Sequence, residues 1–233
     1  MSSIAGVVVM RVALHQSQYL PWPPYFRKIM AVDCFVLMDN VQFQKNGLQN
    51  RNQVRNKQGA FWLTIPVSGK LEDHIADKRI ADAGWTRKHW QSLQTAYGRA
   101  PYWGQHKKAL EALYQGSYIT LGDVNEMFLR FFLRVLEIDT PVINLSSLNV
   151  DGSKSSLVLN ACKALNADCY VSGHGAFGYL DADTFAEAGI AIEFMKSTPP
   201  VYTQGKMDFI SGLSMIDMLM HQNPAQIRTC LEN

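Results

Sequence analysis

A histidine follows the first apolar segment of the chain, where it is suited to acid–base chemistry or to phosphate binding. Residues 6–14 are apolar and rich in β-branched side chains, which predicts a buried strand, and His15 comes directly after them. Residues 25–31 then have a helical pattern with prolines before it. Ligands of open α/β sheets bind at the carboxyl edge of the strands, so His15 is a candidate catalytic residue. A buried histidine that binds the main chain is the alternative.

Asp39 is the second candidate of this kind. A short apolar segment, residues 34–38, predicts a strand that ends just before it. Strand, helix and strand then form a βαβ unit whose strands are parallel, so Asp39 is expected at the same edge as His15. There it could contact a metal ion or a ribose; capping of a turn is the alternative.

Residues 40–59 are polar and rich in amides, and they predict a binding loop. The segment has too few apolar side chains for a core and too many hydrogen-bonding groups for a simple turn. Arginine offers a bidentate fork and lysine a point charge, which suits the binding of an anion. A solvated turn is the alternative. Its candidate residues are Gln42, Lys45, Asn50, Arg51 and Asn52.

Two further segments in the second half have features of ligand-binding loops. Residues 152–156, Gly-Ser-Lys-Ser-Ser, precede a predicted helix and offer Lys154, hydroxyls and free N–H groups to a phosphate, although the Walker pattern is absent. A plain N-cap at Ser153 is the alternative. Ser172 and Gly173 follow a predicted strand, and the glycine permits close approach of a ligand to the backbone. His174 is a weaker candidate in the same loop.

Several classes of protein are not indicated. The four cysteines are scattered, without a disulfide framework or a zinc-binding spacing, so we expect free thiols, a reducing cytoplasm and no metal site built from His and Cys. No apolar run reaches the ~18–20 residues of a membrane span, and we identify no signal peptide. The oligomeric state is not indicated.

The charge of the chain is unevenly distributed. The net charge is +2, yet residues 27–108 hold 14 basic and 6 acidic residues, whereas residues 109–233 hold 7 and 14. A basic half favours a small anionic ligand such as a nucleotide, a nucleotide sugar or an acyl carrier; complementarity between the two halves is the alternative. No basic run with interleaved aromatics indicates nucleic acid.

The order of the predicted elements indicates an α/β protein. Strands and helices alternate near both ends, and residues 85–136 predict a layer of helices with an aromatic stripe that belongs to the core. We therefore expect a single domain over residues 1–233, with a mainly parallel, Rossmann-like sheet and an inserted helical layer.

The spacing of residues across the chain resembles the WbqC-like family of bacterial proteins. The opening pattern of that family, HQPxYLPWxGYFxKI, is matched except at Ser17 and Pro24, where proline and glycine are usual. Matches in the opening pattern and beyond it include His15, Gln16, Tyr19, Leu20, Pro21, Trp22, Tyr25, Phe26, Lys28, Ile29, Asp39, Val41, Gln42, Phe43, Lys45, Asn50, Arg51, Asn52, Trp62, Leu63, Thr64, Pro66, Val67, Ser172, Gly173, Tyr179, Leu180, Tyr202, Gln204, Leu213, Ser214 and Asp217.

The resemblance implies a transferase of surface polysaccharide (O-antigen) assembly that moves glycine or an acyl group to a sugar. We assign His15, Asp39 and Lys45 as catalytic. The substrate-binding candidates, for an anionic donor and a sugar acceptor, are Gln16, Tyr19, Trp22, Gln42, Asn50, Arg51, Asn52, Lys154, Ser172, Gly173, Tyr179 and Gln204.

Two alternatives remain open. One is an ATP-dependent adenylating or nucleotidyl-transferring enzyme, since nucleotidylyltransferases and pantothenate-synthetase-like ligases also begin with a strand that ends in histidine; this chain lacks their HxGH pair. The other is a non-catalytic module that binds a sugar intermediate. The cofactor is left open, with a nucleotide, such as ATP with magnesium, as one option.

Overall fold

A five-stranded parallel sheet is the framework of the fold. The computed structural model describes residues 9–173, 178, 180–196, 198–206 and 208–232. The sheet strands are β1 (Arg11–Gln16), β2 (Cys34–Met38), β7 (Val142–Asn144), β8 (Cys169–Gly173) and β9 (Ala191–Met195), in the order β7-β2-β1-β8-β9. The predicted α/β class with a mainly parallel sheet is confirmed.

The central strands are apolar because both of their faces are covered. Val12 and Ala13 in β1, Phe35 and Val36 in β2, and Val171 in β8 have no exposed surface. Parallel strands covered on both faces are near-continuous apolar runs, which is why the sequence predicts β2 at its observed bounds. The part of the predicted first strand before Val9 lies outside the described residues, and β1 itself extends to Gln16.

The strand order contains a topological switch point. Numbered along the chain, the five strands lie in the order 3-2-1-4-5, so the connections proceed in one direction from β1 to β7 and then return to β8 on the other side of β1. The helices that follow the strands are α1 (Pro23–Met30), α5 (Lys154–Ala164) and α6 (Ala182–Glu187). In such sheets the carboxyl ends of the two strands at the switch point, here β1 and β8, border a crevice that binds ligands.

The described residues form two compact units. The first draws on the described residues within 9–15, 28–38 and 140–196 and contains the parallel sheet; the second draws on those within 16–27, 39–139 and 198–232. A single domain over residues 1–233 therefore stays a prediction. No helix in the described part of the chain is long and apolar enough to cross a membrane.

The second unit contains the predicted helical layer and two small antiparallel pairs. Its helices are α2 (Trp85–Tyr97), α3 (Trp103–Tyr114), α4 (Leu121–Val135), α7 (Met215–His221) and α8 (Pro224–Glu232). The aromatic stripe of α4 is buried as predicted at Phe128 and Phe132, whereas Met127 is exposed. The pairs are β3 (Arg51–Asn56) with β4 (Gly59–Thr64), and β5 (Val67–Ser68) with β6 (Arg79–Ile80).

The prediction that residues 40–59 stay outside the core is wrong for the second half of that segment. Residues 51–56 form strand β3, and Gln49, Asn50 and Asn52 are almost completely buried. Their amides compensate for burial by binding the main chain: Asn50 Nδ2 donates to Ile65 O at 2.8 Å, and Asn52 Nδ2 donates to Leu20 O at 2.6 Å. Polar composition therefore does not place this segment at the surface.

Candidate functional site

The carboxyl ends of β1 and β8 carry predicted site residues on adjacent strands. The two strands pair in parallel through Arg11 with Cys169 and Val12 with Tyr170, so both run toward the same edge of the sheet. His15 lies near the end of β1 and is half-buried, while Ser172 and Gly173 end β8. The structure thus brings His15, Ser172 and Gly173 to the switch point of the first unit.

The start of α5 lies at the same edge, because α5 follows the carboxyl end of β7. Its first turn is tightly built: Ser153 N donates to Ser156 Oγ at 3.1 Å, and Ser155 Oγ accepts from Asp181 N at 2.9 Å. Lys154 is exposed with a φ of 49°. Ser153 is the N-cap of α5, as the alternative interpretation predicts, and Ser156 N donates to Ser153 O at 3.1 Å. The positive end of the dipole of this 11-residue helix still favours an anion at this edge.

Gly152 is required by this turn. Its φ is +125°, and a Cβ atom there would lie 2.9 Å from Ser156 Oγ and 3.0 Å from Leu157 N. We expect Gly152→Ala to lower the free energy of unfolding by about 1–3 kcal/mol through backbone strain and that close contact. Urea unfolding measures the loss. Gly104→Ala in α3 is the control, since nothing lies within 4 Å of a Cβ there; equal stability of both variants would contradict the expectation.

Lys28 is a further candidate in the first unit, which the sequence pattern does not predict as a site residue. It is only 8% exposed, and burial lowers its pKa to about 8. Within the part of the chain that the structure describes, its ammonium has neither a hydrogen bond nor an ion pair. The helical spacing of the sequence indicates this burial, because Lys28 lies three residues after Tyr25 and next to Ile29 in a helix that is buried on nearly all sides.

The remaining predicted residues belong to the second unit, where several bind their own chain. Gln204, which is 2% exposed, accepts hydrogen bonds from Arg55 Nη1 at 2.6 Å and from Ile210 N at 2.8 Å. The side-chain oxygen of Gln16 accepts from Gln49 Nε2 at 2.9 Å. With Asn50 and Asn52, these side chains have structural partners, and their role toward substrate stays a prediction.

Tyr19 lies in the core of the second unit. Its hydroxyl is 2.9 Å from His89 Nδ1 and 2.7 Å from the hydroxyl of Tyr114, and its ring packs edge-on against Trp85. Burial raises the pKa of Tyr19 well above its usual value. A role of Tyr19 in substrate binding stays a prediction, as does that of Trp22, which is half-buried.

Three of the polar candidates between residues 39 and 51 are accessible. Gln42 and Lys45 are exposed, and the guanidinium of Arg51 lies 4.3 Å from the ring centre of Trp62, which is itself 44% exposed. Asp39 is nearly buried, and its main-chain oxygen accepts from Ala76 N at 3.0 Å. Asp39, Lys45 and Arg51 belong to the second unit and His15 to the first, and their joint action stays a prediction.

A buried carboxylate organises another part of the second unit. Asp217 is fully buried in α7; its two oxygens accept hydrogen bonds from the hydroxyls of Tyr97 and Tyr202, each at 2.8 Å. His221 Nδ1 lies 3.8 Å from the second oxygen. Burial raises the pKa of Asp217, and His221 together with the two hydroxyls opposes that shift.

Two of the predicted site residues, Tyr179 and His174, lie outside the described residues. Among the residues that are described, no group of three or more His, Cys, Asp or Glu side chains is arranged to hold a metal ion.

The sheet and its strand order define a parallel α/β protein, with a candidate site at the switch point of the sheet. The profile of the WbqC-like protein family matches residues 16–229, and the chain belongs to this family. It is 30% identical over 227 residues to the uncharacterized protein Rv1507c of Mycobacterium tuberculosis (strain ATCC 25618 / H37Rv), covering 94% of this chain and 98% of that protein. No solved structure matches the chain.

Proposed function

We propose that this protein is a transferase of bacterial surface-polysaccharide (O-antigen) assembly, which moves a glycyl or acyl group from an activated donor to a sugar. The observation that carries the proposal is the position of His15 near the carboxyl end of β1, next to the strand that ends in Ser172 and Gly173. Ligands of doubly wound sheets bind at this switch point. Membership of the WbqC-like family supports the polysaccharide context through the resemblance described above.

The candidate site residues of the first unit each have a role in this proposal. His15 acts as the general base that removes a proton from the attacking group of the acceptor, or as a contact to the donor phosphate. Gly173 allows the donor to approach the backbone closely. The N-terminus of α5, with Lys154, binds the negative charge of the donor.

The candidates of the second unit enter the proposal through their chemistry alone. Lys45 and Arg51 are cations suited to an anionic donor, and Lys45 is exposed. Asp39 and Gln42 offer hydrogen bonds suited to the hydroxyl or amine of an acceptor. Their action together with His15 is a prediction from the sequence.

A second candidate function is adenylation or nucleotidyl transfer with ATP and magnesium. It is favoured by the strand order 3-2-1-4-5 together with a histidine near the carboxyl end of the first strand. In this case His15 contacts the phosphates of ATP, and the donor is a nucleoside triphosphate rather than an activated acyl group.

A thermal-shift panel with matched histidine variants tests both functions. Wild type, His15→Ala and His74→Ala are heated with ATP, ATP plus magnesium, nucleotide sugars, acyl-CoA and glycine; His74 is an exposed histidine of the second unit. A ligand at ~100 times its Kd adds ~2.7 kcal/mol of stability to the folded protein. We expect a shift that His15→Ala abolishes and His74→Ala retains.

The identity of the ligand distinguishes the candidates. Stabilisation by nucleotide sugar or acyl-CoA supports the transferase, whereas stabilisation by ATP only with magnesium supports nucleotidyl transfer. Product formation followed by mass spectrometry is then expected to fall about 100-fold or more in His15→Ala. Tight binding of a sugar intermediate with no turnover would overturn both enzyme functions in favour of a binding module.

A further inference from the structure

Lys28 is a buried lysine without a counter-ion in the described chain. It is 8% exposed in α1, whose neighbouring residues Tyr25, Phe26 and Ile29 are completely or almost completely buried. A charged ammonium in such surroundings destabilises the folded protein unless an anion or an acceptor compensates for the lost hydration. An apolar residue at this position would stabilise the folded protein more than lysine does. Packing alone therefore does not explain the lysine.

The direction of α1 favours an extension of this side chain toward the carboxyl edge of the sheet. Arg11, the first residue of β1, donates from its Nε to Ala31 O at 3.0 Å, and its main-chain N donates to Asp33 Oδ2 at 2.8 Å. The C-terminal end of α1 therefore lies at the amino end of β1, and the helix runs antiparallel to the strand. Helical side chains lean toward the N-terminus of their helix, which for Lys28 is the direction of His15.

Distances along the axes of the helix and the strand show how far Lys28 lies from the edge in that direction. Lys28 precedes Ala31 by three residues, which corresponds to a helical rise of about 4.5 Å. His15 lies four residues beyond Arg11, or about 13 Å along the strand. The remaining axial distance of about 9 Å is spanned in large part by the four-carbon stem of lysine.

We propose that Lys28 is an anion-binding residue of the switch-point site, where its ammonium binds a phosphate group of the donor. The inference rests on the proposed function, because both place the donor at the carboxyl edge between β1 and β8. It adds a residue and a chemical class: a phosphate ester or phosphoanhydride, bound from one side by the N-terminus of α5 and from the other by Lys28. The low pKa of Lys28 fits this role, since a bound dianion compensates for the burial of its charge.

The test compares Lys28→Met with Lys163→Met, in which an exposed lysine of α5 in the same unit is replaced. Each protein is titrated with inorganic phosphate, pyrophosphate, ATP and a nucleotide sugar by calorimetry and thermal shift. We expect Lys28→Met without ligand to melt at or above the wild-type temperature, because it removes a buried charge. We expect its phosphate affinity to fall about tenfold or more, because a charge-assisted hydrogen bond is lost. Lys163→Met should bind as wild type does.

A measurement on the wild-type protein keeps the proposal testable if Lys28→Met fails to fold. The 13Cε resonance of Lys28 reports its pKa, and a bound phosphate should raise that pKa because a nearby anion favours the charged ammonium. Binding of inorganic phosphate alone identifies a general phosphate site, and binding of only the nucleotide compounds identifies a site for the donor; both outcomes support the proposal when they depend on Lys28.

The proposal is overturned if Lys28→Met binds every phosphate compound as wild type does, or if the Lys28 pKa is the same with and without the bound compound. It is also overturned if wild type binds none of the four. Transfer activity that requires His15 but not Lys28 would leave the proposed function intact and remove this inference. Phosphate binding that requires Lys28, without any transfer activity, would support the role of Lys28 and contradict the proposed transferase function.

Discussion

Asp217→Ala is expected to lower the free energy of unfolding by about 3–5 kcal/mol, the cost of breaking a fully buried charged network. The carboxylate accepts hydrogen bonds from the hydroxyls of Tyr97 and Tyr202, and alanine would leave both hydroxyls without their acceptor beside a new cavity. Chemical unfolding at neutral pH measures the loss. The effect on the second unit is large because Asp217 has no exposed surface.

Two control variants separate the network from the loss of a charge. Asp217→Asn keeps one acceptor oxygen and nearly the same volume, so we expect a smaller loss than with alanine. Asp208→Ala removes an exposed carboxylate whose main-chain oxygen, and not its side chain, accepts from Arg55; we expect a change within about 0.5 kcal/mol. Similar losses in Asp208→Ala and Asp217→Ala would show that the network does not stabilise the fold.

Elements with local signals were predicted with accurate bounds. Gly84 and Gly98 flank an amphipathic segment, which predicts a helix over residues 85–97, and α2 occupies these residues. Strand β2 was predicted because a continuous apolar run is typical of a strand buried on both faces. In both cases the information lies within a few residues of the element.

Strand β3 could not be predicted because its stabilising contacts are distant in sequence. Asn52 binds the main chain of Leu20, 32 residues earlier, and Asn50 binds Ile65. A polar residue that will be buried by such contacts cannot be distinguished, from the sequence, from a polar residue in a loop. For the same reason the sequence alone predicts substrate contacts for amides that bind the main chain in the structure.

The sequence predicts the residues of the candidate site but not that they lie together. His15 is predicted from the strand before it, and Ser172 and Gly173 from another strand. Periodicity does not reveal which strands are neighbours in the sheet. The strand order places β8 beside β1, which gives the three residues a common location. Polar composition favours Lys45 as a candidate in a binding loop, whereas Lys28 stands out through its helical position among buried residues.

The buried histidine of the helical layer predicts that acid destabilises the fold in a defined pH range. His89 Nδ1 is 2.9 Å from the hydroxyl of Tyr19, and Nε2 is 3.2 Å from Thr64 O, an arrangement that suits the neutral ring. Burial lowers the pKa of His89 to about 4, the nearby charge of Lys88 adds to the shift, and the bond to Thr64 opposes it. The pKa in the unfolded chain is about 6.5.

The unfolded chain therefore binds more protons than the folded protein between about pH 6.5 and pH 4, and stability falls as the pH decreases through that range. Lowering the pH from 7 to 5 should remove roughly 2 kcal/mol through this residue alone. His89→Gln does not titrate, so its free energy of unfolding should decrease less than that of wild type by that amount. The same pH dependence in wild type and His89→Gln would mean that His89 is accessible to protons in the folded protein, and would contradict the closed Tyr19–His89–Tyr114 cluster.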